Sequence, residues 1–242
     1  MQATTEKSDS QGLAGQFRAP LFGELAARMG CDQRRVFLEL GSATAGTLAY
    51  LRGFRCCLAV ADAAEELLRL GSEGPEVLTA QRLKALLPDG LDEPVDAVFC
   101  WDLLNYLSQP ALAALGRLFS EIVRPDGLVH ALVQTRDNTI PDRPGRYAAM
   151  GAETLFGEAG ESAATRAAPR YTPWDLEKYC GNLVVDRSVM LRNGMQEYLL
   201  RVTPDAAGPR EIPALYRSGG EFWGCRYRIA LLAIKQQTKK PR

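Results

Sequence analysis

Residues 36–62 constrain this chain more than any other stretch. Val36 to Leu40 is an apolar run interrupted once by Glu39, and it reads as a buried strand. Gly41 to Gly46 is a turn built only of small residues, and Thr47 to Gly53 has the length of a helix crossing back to a second strand, Cys56 to Ala61. Glu39 closes the first strand and Asp62 the second, 21 positions after Gly41. A strand, a small-residue turn, a helix and a strand with an acid about 20 residues on form the ligand crevice of a doubly wound sheet. Side chains must vanish at such a turn so that backbone can approach a ligand. The second acid accepts hydrogen bonds from a ribose diol.

A dinucleotide would need Gly-x-Gly-x-x-Gly to seat its pyrophosphate on the helix N-terminus. Gly41, Ala43, Ala45 and Gly46 lack the second glycine of that spacing, and the Glu39 carboxylate repels phosphate while suiting a cation. Two further stretches bear on the crevice. Val95 to Trp101 is a strand opened by Asp96 and followed by Asp102-Leu-Leu-Asn-Tyr-Leu. Arg124-Pro125-Asp126-Gly127 turns a long helix, Ala111 to Val123, into the strand Leu128 to Val133.

In order and spacing these stretches resemble the class I (Rossmann-like) S-adenosylmethionine-dependent methyltransferases. Their motif I, acid-x-Gly-x-Gly-x-Gly, is matched by Glu39 and Gly41, with Ala43 and Ala45 where glycines are usual and Asp62 ending strand two. Their strand-four pattern is matched at Asp96, Val98, Asp102, Leu104 and Leu107, and Arg-Pro-Asp-Gly stands close to the family's Lys/Arg-Pro-Gly-Gly. The resemblance implies an α/β fold: a doubly wound, mostly parallel seven-stranded sheet with helices on both faces. Its last strand is antiparallel, slotted between strands five and six. It implies S-adenosyl-L-methionine as cofactor and in-line transfer of a methyl group to an oxygen or nitrogen of a small-molecule acceptor.

The cofactor contacts it implies are Glu39 at the methionyl end, Gly41 and Ala43 in the turn, and Asp62 and Ala63 after strand two. Trp101 and Asp102 follow at the end of strand four. Gln81 stands in for the aspartate that often receives the adenine amino group after strand three. Asn105, Tyr106, Arg136 and Arg143 are expected at the substrate, and no catalytic residue is singled out. Asp102 has a competing role as the N-cap of the next helix. The chain has no Asp/Asn-Pro-Pro-Tyr, which counts against nucleic-acid amino-methyltransferases. Two alternatives stay open. One is a non-catalytic cofactor- or protein-binding relative, motivated by Ala43, Ala45 and the missing aspartate; the other is a nicotinamide oxidoreductase, which rests on Asp62 alone.

The 242 residues suit a polar, disordered tail over 1–13 and a single domain over 14–242. Basic and acidic residues balance at 29 each, so no global field draws the chain to nucleic acid or membrane. No run of 18 apolar residues occurs and no signal-peptide core opens the sequence, so cytoplasm is the expected location. Six cysteines without Cys-x-x-Cys spacing and one histidine predict no metal site. That histidine, His130, sits mid-strand and reads as core. Residues 135–171, rich in arginine, alanine and glycine, form a long connection expected to be a substrate lid. Further expectations are an amphipathic helix over Arg18 to Met29, a short third strand at Val77-Leu78 and a helix over Ala80 to Leu87. A helix opens at Thr172-Pro173-Trp174-Asp175, and strand six runs over Leu183 to Leu191. Asn193-Gly194 offers a hairpin or a short helix from Met195; the residue types favour the helix. Arg226 to Lys235 reads as the last strand.

Overall fold

Side-chain alternation in the central strands divides the interior in two. In β2 (Arg35–Glu39) Val36 and Leu38 join one core and Phe37 the other; in β4 (Val95–Trp101) Val98 and Cys100 oppose Ala97, Phe99 and Trp101. Both strands are covered on each face, which is why they read as near-continuous apolar runs. The computed structural model describes residues 15–74, 78–158, 164–203 and 231–232. Its mixed sheet runs in the order β10 (Leu183–Met190), β11 (Met195–Val202), β5 (Val123–Gln134), β4, β2, β3 (Cys56–Val60). β12 (Leu231–Leu232) adds a two-residue strand at the β3 edge. β3, β2, β4 and β5 are mutually parallel, and β11 is antiparallel to both its neighbours. From β2 the chain steps outward to β3 and then returns to β4 on the other side. Strand order therefore reverses between β2 and β4, where a doubly wound sheet opens a crevice at its carboxyl ends.

One face carries α3 (Ala64–Glu73), α4 (Ala80–Lys84), α5 (Gln109–Ile122) and α6 (Pro173–Cys180). α6 opens with the capping box expected of Thr172 and Asp175. It packs so closely on α5 that a Cβ on Gly116 would lie 1.9 Å from the Cys180 carbonyl oxygen. The other face carries α1 (Pro20–Met29) and α2 (Ala45–Leu51) under a small antiparallel sheet in the order β1 (Gly15–Arg18), β8 (Thr154–Glu158), β7 (Arg146–Gly151). A ribbon of β6 (Thr139–Pro141) and β9 (Thr165–Ala167) closes the base of the same excursion. α1 has no side-chain cap of its own. Glu197 of β11 supplies one, accepting Leu21 N–H at 3.0 Å and Phe22 N–H at 2.7 Å, with His130 Nε2 2.8 Å from the same carboxylate. His130 and Glu197 are fully buried, so the lone histidine is core.

Several sequence expectations are corrected. Met195 to Val202 is a strand, not a helix: a place between β5 and β10 outweighs the absence of β-branched residues before Val202. The hairpin feeding it closes with Gly194 N–H on Leu191 C=O and Gly194 at φ 85, a turn ending in a glycine bulge. β11 therefore fills the antiparallel slot assigned to Arg226–Lys235, and the described part of that segment, β12, pairs parallel with β3 at the opposite edge. Residues 135–171, expected as a long connection, hold four strands among the described residues. α1 begins at Pro20, with Arg18 in β1, and α4 ends at Lys84. Val77 lies outside the described residues and Leu78 is not in a strand; the tail 1–13 also lies outside them. No helix among the described residues is long and apolar enough to cross a membrane.

Candidate functional site

The carboxyl ends of β2, β3 and β4 enclose a cavity of about 630 Å³, within the range usual for small-molecule sites. The turn after β2 supplies Gly41 and Ser42, the end of β3 supplies Asp62, and β4 supplies Trp101 and Asp102. The first turns of α3 and residues 142–146 complete the wall. Asp62 has φ 44, a left-handed conformation that aspartate tolerates, and its Oδ1 accepts Ser42 Oγ–H at 2.8 Å.

Beneath this wall lies Glu39, fully buried and outside the cavity lining. Its Oε1 accepts Gly41 N–H at 3.0 Å and the indole N–H of Trp101. Its Oε2 is buried without a partner. Burial pushes the carboxyl up to about 8, against the pull of those two donors. Trp101 holds this position with φ 47, an outlier for a bulky side chain that costs about 1–3 kcal/mol. It stands where the β4–β5 register shifts. Its ring stacks between Phe99, at 5.4 Å, and Tyr147, at 5.7 Å. Gly41 must be small here: a Cβ would lie 3.2 Å from Glu39 Oε1 and 3.3 Å from Trp101 Cδ1.

Asp102 is buried at the cavity wall. Its Oδ2 accepts Gly145 N–H at 2.9 Å and it makes no side-chain cap to the following 3₁₀ turn, Leu103–Tyr106. Burial raises its carboxyl to about 7, outweighing the bond from Gly145 and the adjacent Tyr147 phenol. β7 lies across the other side of the small-residue turn. Tyr147 C=O accepts from Thr44 Oγ1, Ala149 N–H donates to Thr47 Oγ1, and a Cβ on Gly46 would lie 2.9 Å from Ala148 Cβ. Part of the glycine signal therefore serves the chain's own insertion, and Gly41 and Ser42 remain open to the cavity.

Of the expected site residues, the structure brings Gly41, Asp62, Trp101, Asp102 and Arg143 to the cavity. Arg143 arrives paired with Glu65 of α3. Glu39 lies behind Trp101; Ala43 packs against the α1–α2 core and Ala63 is buried between the wall residues Asp62 and Ala64. Gln81, exposed on α4, and Arg136, beside Asp137, do not reach it. Asn105 is a brace, donating to Asp102 C=O and Leu132 C=O and accepting Gln134 N–H. Tyr106 O–H donates to Arg143 C=O and so holds the insertion rather than the cavity. Sequence reading missed Ser42, Glu65, Asp142 and Tyr147; Arg146 counts there, with four other arginines of the excursion, among residues that could bind an anionic substrate. Only the length of the excursion after β5 pointed toward Asp142 and Tyr147.

No protein-family model matches the chain, and no curated protein matches it. Solved structures similar to it include 1,6-didemethyltoxoflavin-N1-methyltransferase of Burkholderia thailandensis, at 20% identity over 76% of this chain and 77% of that one, with TM-score 0.38. A S-adenosylmethionine-dependent methyltransferase of Clostridium acetobutylicum is 14% identical over 75% of this chain and 91% of that one, with TM-score 0.44. The CcbJ methyltransferase of Streptomyces caelestis is 11% identical over 75% and 88%, with TM-score 0.40.

Proposed function

We propose that the chain binds S-adenosyl-L-methionine in this crevice and transfers a methyl group to an oxygen or nitrogen of a small-molecule acceptor. The observation that carries the reading is the cavity at the strand-order reversal, with Asp62 on its wall and the unpartnered oxygen of Glu39 behind it. The residues suit that cofactor chemically. The Asp62 carboxylate accepts from ribose hydroxyls, Gly41 leaves room for close approach, and the spare oxygen of Glu39 suits an ammonium donor. When bound, the cofactor supplies a sulfonium methyl that is already strongly electrophilic. The protein then works mainly by alignment, which can contribute about 7 kcal/mol or more. Residues 142–147, within the 135–171 lid of a single domain, keep water from the reacting ends. Asp102, held near 7, suits removal of a proton from an acceptor O–H or N–H at neutral pH.

A second reading, a cofactor-binding protein without transfer, is favoured by one observation: β7 and Trp101 cover the Glu39 side of the crevice. Calorimetry with S-adenosylmethionine and S-adenosylhomocysteine tests the shared premise, with binding expected for both. Labelled methyl donor offered with a size-fractionated small-molecule extract separates the two readings. Label appearing in a small product supports transfer; binding with no labelled product in any fraction supports the second reading. Absence of binding to either nucleoside removes both.

A further inference from the structure

Glu39 and Trp101 together are not explained by packing. A fully buried carboxyl has both its donors on one oxygen and none on the other. One of those donors, the Trp101 indole, is carried by a backbone that a bulky residue adopts only when its surroundings force it. Trp101 also lines the cavity, and Glu39, whose Oε1 its indole holds, does not. Phe99 and Tyr147 clamp it from either face. Tyr147 belongs to the insertion, whose backbone is tied to the start of α2.

We propose that Trp101 gates the inner half of the crevice: its indole seals Glu39 from the cavity, and a nucleoside bearing a cationic amino-acid tail opens the site by replacing the indole on that carboxylate. The proposal rests on the donor reading above. Rotating Trp101 outward frees Glu39 Oε1 and lets a charged donor take its place. It also withdraws the ring on which Tyr147 stacks, so opening the gate loosens the insertion at the same point. In the closed state the cavity accepts the nucleoside half of such a ligand, and its tail gains little.

The experiment compares 5′-methylthioadenosine, which lacks the amino-acid tail, with S-adenosylhomocysteine, which carries it. Calorimetric affinities are measured on wild type, Trp101→Phe, and Trp101→Phe with Glu39→Gln. Trp101→Phe keeps an aromatic ring between Phe99 and Tyr147 but removes the indole N–H, and thermal melting checks that it folds. In wild type the two ligands should bind within about threefold of one another. In Trp101→Phe the tailed ligand should gain at least tenfold over the tailless one, and adding Glu39→Gln should abolish that gain. S-adenosylhomocysteine, but not methylthioadenosine, should also change the tryptophan fluorescence of wild type, and that change should vanish in Trp101→Phe. An affinity ratio that Trp101→Phe leaves unchanged, with methylthioadenosine still bound, overturns the gate alone. Failure of either protein to bind methylthioadenosine overturns the donor reading and the gate with it.

Discussion

Two glutamates among the described residues are fully buried, and they are treated differently. Glu197, on the β5–β11 side, has a donor for each oxygen: Leu21 N–H on Oε2, and Phe22 N–H with the His130 ring on Oε1. Glu39, at the crevice, has both donors on one oxygen and none on the other. A buried carboxylate that serves only the fold is expected to be satisfied throughout, because each unmet lone pair costs desolvation with nothing in return. One left short behind the wall of a cavity marks a place where the molecule holds interaction capacity for something else.

The sharpest way to break the comparison is to remove each carboxylate. Glu197→Ala strands two amides of α1 and the buried His130, and should lower stability by about 3–5 kcal/mol in urea denaturation. Glu39→Gln, which mimics the protonated form, should leave stability at pH 7 nearly unchanged. Equal losses in the two variants would make Glu39 a second piece of scaffold.

A smaller effect concerns pH. Glu39 stands at about 8 against an ordinary 4.5, and Asp102 at about 7 against 3.8. Both values are raised, so the folded state keeps protons that the unfolded chain releases. That contribution to stability is fully present below about pH 4 and is lost as pH rises through 7 and 8. Between pH 5 and 8.5 wild type should lose stability progressively, and Glu39→Gln with Asp102→Asn should flatten the slope. A slope unaffected by the double substitution would assign the pH response elsewhere.

On the cavity side, Asp62→Ala should weaken S-adenosylhomocysteine by about 1–3 kcal/mol, the cost of leaving ribose hydroxyls unpaired. Its melting temperature should fall only slightly, through the strain of alanine at φ 44, since Asp62 is exposed and its side chain bonds Ser42. The smallest effect belongs to Gln81→Ala. Exposed on α4 and away from the cavity, it should alter binding by under about 0.5 kcal/mol. A larger loss would return Gln81 to the adenine end.

The β2–turn–α2–β3 unit was legible because local pattern and tertiary role agree there. Apolar strands, small turn residues and terminal acids each report a nearby constraint, and the same holds for β4 and for the α6 capping box. β11 was not legible. Met195-Gln-Glu-Tyr-Leu-Leu favours a helix by intrinsic preference, and only pairing with β5 and β10, remote or antiparallel partners, makes it a strand. The site was half legible for the same reason. Gly41, Asp62 and Asp102 lie where strand ends put them. The meeting of Trp101 with Glu39 depends on a left-handed backbone at a tryptophan, which no residue preference announces. Gly46 looked like room for a ligand, and the space is taken by Ala148 from 102 positions along.

The Glu197 cap has a consequence for how the chain is made. A ribosome releases residues 20–29 long before residue 197, and until then the first helix has neither its cap nor the strand it leans on. Its early turns must wait, amides open to water, through the synthesis of nearly every other element of the sheet. Closure of so distant a contact is slow compared with local helix growth. α1 is therefore among the last elements to dock, and until then its apolar face stays open to solvent.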